Sequence, residues 1–125
     1  METSQPNDLI ASPMITEATA RKIALSMPEA EEGSHMDHPD FRVRNKIFAT
    51  LWPNEGRAVV FVEPDRHEEM MTDHPKAFSQ NGWSEKYGAL NVHLQHITQK
   101  QFRALVHDSW CRKAPKRLVA EHVKS

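Results

Sequence analysis

A chain of 125 residues, 38% hydrophobic and 26% charged, suits one domain that buries roughly two-thirds of the surface its unfolded chain exposes. One cysteine, Cys111, excludes an intrachain disulfide and agrees with a reducing compartment, and no run nears the ~20 apolar residues of a membrane helix. A formal net charge of −1 excludes coating nucleic acid by bulk charge, although residues 1–40 stand at −6, residues 41–98 balance and residues 99–125 stand at +5.

Residues 1–13 are polar, with Pro6 and Pro13, and are expected to form a flexible lead-in. They have neither the basic nor the apolar region of a secretory leader, so a soluble cytoplasmic protein is expected. The domain is set at residues 14–123. A helix is predicted from Thr16, where Ala20, Ile23, Ala24 and Met27 recur at helical spacing, with Ile15 as a hydrophobic staple and Pro28 as the stop. The acidic stretch EAEEG reads as a loop.

Phe41 and Val43 alternate with Arg42 and Arg44, the pattern of a half-buried strand with both arginines on its outer face. Asn45 suits a tight turn. KIFATLW is a second strand, PNEG a turn, and RAVVFV a third strand, apolar on both faces and therefore central in the sheet. Short links between them predict an antiparallel meander. Pro64 opens a short helix with His67, Met70, Met71 and His74 on one face, and KAFSQNGWSEKYG mixes strand and turn residues. ALNVHLQHI alternates Leu90, Val92 and Leu94 as another strand. Thr98 and Gln101 form a capping box ahead of a helical stripe of Phe102, Leu105, Val106, Ser109 and Trp110. Pro115 breaks that helix, and KRLVAEHV continues as a short terminal one. The fold class is α+β: one domain with helices packed on an antiparallel sheet.

Candidate chemistry is sparse. The pairs His35/His38 (around Asp37) and His93/His96 have metal-ligand side chains, but the first lies in a loop without a helical metalloprotease motif and the second would point to opposite faces of a strand. No metal is expected, and His38 before Pro39 is read as ordering the turn into the sheet. Positive neighbours Arg112 and Lys113 would lower the thiol pKa of Cys111, yet no base or oxyanion hole is placed with it, so a packing role is expected. Scattered glycines disfavour a phosphate cradle, and the carboxylate pairs Glu31/Glu32 and Glu68/Glu69 read as solvated surface. No enzyme activity and no cofactor are expected. Arg42, Arg44, Lys46 and Arg57 on the meander, with Lys113, Lys116 and Arg117 near the C-terminus, form a basic set that could lie along phosphates, or could simply be the wet face of a sheet.

Four blocks, ALSMPEAEEGSHMDHPDFRVRNKIFATLWP, RAVVFV, NGWSEKYGALNVHL and SWCRKAPKRL, together resemble the MmcQ/YjbR family, from Thr16 to Val119. Asp37 and Asn45 stand where many members carry glycine; asparagine also tolerates positive φ. The resemblance implies an α-β(3)-α-β(2)-α order similar to type III secretion chaperones. It further implies DNA binding through a double-wing arrangement of β-elements, and a link of some members to mitomycin resistance clusters. The leading expectation is therefore a small DNA-binding protein that contacts double-stranded DNA through Arg42, Arg44, Lys46, Arg57, Lys113, Lys116 and Arg117. The alternative is a chaperone-like or small-ligand-binding module using Phe48, Trp52, Trp83 and Tyr87. A monomer is favoured, with nothing in the sequence deciding it. An apolar or a basic outer face on the meander separates the two readings.

Overall fold

A computed structural model describes residues 15–124; the lead-in expected over residues 1–13 lies outside them. Helix α1 (Glu17–Leu25) starts at Thr16, whose side chain accepts the Thr19 N–H, and buries Ala20, Ile23 and Ala24. Strands β1 (Ala30–His35), β2 (His38–Val43), β3 (Lys46–Trp52) and β4 (Arg57–Phe61) follow. Then come α2 (Pro64–Asp73), β5 (Phe78–Gln80), the single-turn α3 (Ser84–Tyr87), β6 (Ala89–His93), α4 (Gln99–Lys113) and α5 (Lys116–Lys124). The six strands make one antiparallel sheet in the order β1-β2-β3-β4-β6-β5. The fold is α+β, as the sequence predicts. No helix among the described residues is long and apolar enough to cross a membrane.

One element differs from the sequence reading. The acidic stretch after Pro28 is not a loop but the edge strand β1, so four strands precede α2 instead of three. Its backbone pairs with β2 from Ala30↔Val43 to His35↔His38. Backbone pairing, not side-chain burial, makes this strand: Glu31, Glu32 and Ser34 stay exposed, which suits an edge.

Two-residue turns join β1 to β2 and β2 to β3. Met36 and Asp37 have φ of 52° and 67°, and Arg44 and Asn45 have φ of 50° and 70°. Positive φ at both central residues is the type I′ hairpin geometry that matches strand twist. Asp37 and Asn45 are among the few residue types that accept it. Arg44 therefore sits in the turn, not on the strand beside Arg42 as the alternation predicts.

The register sorts the side chains onto two faces. Phe41↔Ala49↔Val60↔Leu90 and Leu51↔Ala58↔Val92↔Phe78 run across one face. Against it pack α1 and α4 with Ile23, Phe102, Val106 and Trp110. Gly33↔Asp40↔Thr50↔Val59↔Asn91↔Ser79 runs across the other. The capping box of α4 forms as predicted, with Thr98 and Gln101 exchanging hydrogen bonds.

A β-bulge interrupts the β2–β3 ladder: the register passes from Phe41↔Ala49 to Arg42↔Ile47 and skips Phe48. Ser109, buried on α4, answers that gap. Its hydroxyl donates to the Phe48 carbonyl at 2.5 Å and accepts the Phe61 N–H at 2.9 Å. One side chain thus satisfies two backbone groups that the sheet leaves unpaired.

Candidate functional site

The outer face of the sheet carries a groove of about 580 Å³, within the range of small-molecule sites. Its floor is Ile47, Thr50 and Trp52 from β3, Val59 and Phe61 from β4, and Ala89 from β6. One wall is Asn81, Trp83 and Tyr87; Asn45, Lys46 and Lys113 also line it.

The wall is built by local polar contacts. Asn81 Oδ1 accepts the Trp83 N–H at 2.9 Å, an Asx turn, and Ser84 Oγ lies 2.7 Å from the carbonyls of both Asn81 and Ala89. Gly88 ends the turn of helix at φ 74°. A Cβ there would come within 2.5 Å of the Val62 carbonyl oxygen, so only glycine allows the chain to pass. The result holds two aromatic rings out in solvent: Trp83 is 62% and Tyr87 44% exposed, 5.7 Å apart between ring centroids. Exposed aromatics over an apolar floor are unusual on a surface that faces only water.

Most charge near the sheet is already matched. Asp40, fully buried, accepts Arg42 Nε at 2.8 Å and Nη2 at 3.0 Å, and this contact holds the Arg42 pKa above its ordinary value. Gly33 leaves the room: a Cβ there would sit 3.0 Å from Asp40 Oδ1. Arg44 makes a two-pronged contact with Glu29, with Nε–Oε1 at 2.5 Å, which raises the arginine pKa and lowers that of the carboxyl. Arg57 donates to Glu55 and to Asn91 at 2.8 and 2.9 Å and lies 4.3 Å over the Trp52 ring. The His38 ring also stands against Trp52, centroids 3.5 Å apart, so Trp52 is fixed from its surroundings. Arg112 pairs with Glu63.

Lys46 and Lys113 differ. Neither makes an ion pair among the described residues. Lys113 Nζ lies 4.3 Å over the Phe61 ring. Burial first, then the positive charges of Arg112 and Lys46, push its pKa below the ordinary lysine value. Lys116 and Arg117 lie exposed at the start of α5.

Of the seven basic residues singled out in the sequence, then, Arg42, Arg44 and Arg57 are held by carboxylates of the chain itself, and Lys46 and Lys113 line the groove. Of the four aromatics, Trp52, Trp83 and Tyr87 come together there. Phe48 does not: it is the bulged residue, wholly buried in the core. Val59 and Phe61 were not singled out; the signal for them was the strand RAVVFV, whose second apolar face is the groove floor.

The remaining candidate chemistry is dispersed. The Cys111 thiol packs against the core, and its pKa is raised, by burial and then by Asp108, the reverse of the lowering that Arg112 and Lys113 led one to expect. His93 contacts Ser79 Oγ at 2.8 Å, and its pKa is lowered by burial, Arg57 and His96. Among the described residues no group of three or more His, Cys, Asp or Glu side chains is arranged to hold a metal.

A family model, YjbR, matches residues 25–112. Among solved structures, the chain resembles the Deinococcus radiodurans protein DR2400, with its family-model domain DUF419, at 21% identity and a TM-score of 0.69. The match covers 81% of this chain and 80% of that one, a likeness of fold. No curated protein matches.

Proposed function

The chain belongs to the YjbR family, and from that premise we propose that it is a non-catalytic binding module whose working surface is the outer sheet face, taking a small, largely apolar ligand. The observation that carries this reading is the groove itself: an apolar floor beneath two exposed aromatic rings, of a size that suits a compact organic molecule. The test is isothermal titration calorimetry with naphthalene-2-carboxamide as a neutral aromatic probe. Binding is expected, with about tenfold loss in Trp83→Ala, the size of an aromatic contact worth roughly 1.4 kcal/mol. No heat of binding at millimolar probe would overturn the reading.

A second reading is duplex DNA contact, and one observation favours it: Lys46, Lys113, Lys116 and Arg117 make no ion pair among the described residues. On this reading these four would meet phosphates, with Arg42, Arg44 and Arg57 contributing only by exchanging their present carboxylate partners. Fluorescence anisotropy with a duplex should then show affinity that falls steeply with salt. No binding at tens of micromolar protein in low salt would remove it.

A further inference from the structure

The groove has a polarity along its length that its apolar floor alone does not account for. Arg57, beside Trp52, has its charge engaged by Glu55 and Asn91. Lys46 and Lys113 bring two positive charges to the same lining, near enough for the Lys46 charge to be felt at Lys113, and neither makes an ion pair with a carboxylate among the described residues. The Lys113 ammonium stands directly over Phe61, a floor residue. A cation in that position offers a charged hydrogen bond to any ligand already lying on the floor.

Resting on the groove reading above, we propose that the ligand is a small aromatic carboxylate, its ring packed against Trp83 and Tyr87 and its anionic group received by Lys113 with Lys46. Several observations converge on this chemistry. Matching two unpaired cations with an anion relieves the like-charge repulsion between them. Burial strengthens the contact, because the half-buried Lys113 is less screened than a surface lysine. The groove volume of about 580 Å³ holds one compact molecule, and its two matching cations suit one anionic group, not a run of phosphates.

The experiment compares naphthalene-2-carboxylate with naphthalene-2-carboxamide, near-isosteric probes that differ in charge, by calorimetry on the full chain. The carboxylate is expected to bind about tenfold more tightly, as for a hydrogen bond to a charged group. Lys113→Met keeps an unbranched apolar side chain over Phe61 and removes the charge; it should erase the preference, so that carboxylate and carboxamide bind this variant with equal affinity. Lys46→Met, at an exposed position that perturbs no packing, should reduce the preference by a smaller factor. Equal affinity of the two probes for the unaltered chain, or a preference that survives in Lys113→Met, would overturn the proposal while leaving the groove reading standing. Failure of both probes to bind would overturn both. Displacement of the carboxylate by a short DNA duplex at low salt, with no anion preference between the small probes, would assign the cations to phosphate and likewise overturn it.

Discussion

The two faces of the sheet use similar residues to opposite ends. On the covered face Phe41, Phe48 and Leu90 vanish into contact with α1 and α4, the latter through its buried Trp110; on the outer face Trp52, Phe61, Trp83 and Tyr87 surround a groove of their own. Charge makes the contrast sharper. The covered face has Ser109 as its main polar contact, and both of that hydroxyl's hydrogen-bonding roles are used by the backbone. The outer face carries Asp40 with Arg42 on one side of the groove and Arg57 with Glu55 and Asn91 on the other. Apolar surface by itself therefore does not mark a core: what marks the outer strip is that paired charges bound it and that, among the described residues, no helix packs across it as α1 and α4 do on the covered face.

If this contrast is right, truncation should cost stability on one face and binding on the other. The largest effect is expected for Phe41→Ala: about 4 kcal/mol lost in urea unfolding, the usual size for a buried phenylalanine whose space cannot close. Ser109→Ala should follow at roughly 2 kcal/mol, because it leaves the Phe48 carbonyl and the Phe61 N–H unsatisfied in the interior; a loss below half of that would mean water reaches the bulge. The smallest is Trp83→Ala, which should leave the unfolding free energy within about 0.5 kcal/mol while lowering probe affinity. A large destabilisation there would make Trp83 part of the packing and undo the distinction between the faces.

Much of this architecture was legible in the sequence, for reasons that can be named. Caps and breakers are local chemistry, so Thr16, Pro28, Thr98 with Gln101, and Pro115 marked helix limits closely. Alternation revealed β2, and β-branched and aromatic composition revealed β3. Strand β1 was hidden because it buries almost nothing: EAEEGSH has no apolar period, and only its hydrogen bonds to β2 make it a strand. The turn at Arg44 was hidden for a related reason, since Arg44 continues the alternation of Phe41 to Val43 while its backbone has already turned to φ 50°. The groove was half visible. Trp52, Trp83 and Tyr87 could be named as aromatics, but their meeting depends on β6 bringing α3 beside β4, a long-range pairing that no local period encodes. The run RAVVFV, apolar on both faces, reads as a central strand; it is central, and its second apolar face is the floor of the groove.

Phe61 brings the two faces into one mechanical unit. Its N–H is held by Ser109 and its ring lies beneath the ammonium of Lys113, residues one turn apart on the 15-residue α4. The floor residue Phe61 and the ammonium above it are thus both tied to a single helix that is itself anchored in the core. On the groove reading, a molecule arriving there would find the Lys113 ammonium already placed over Phe61, and the roughly 0.5–1.5 kcal/mol that ordering a free lysine would cost on association would in part be met by folding. Selectivity in such a groove comes from fixed geometry, so ligands that place their charge one bond too far should be refused, not accommodated.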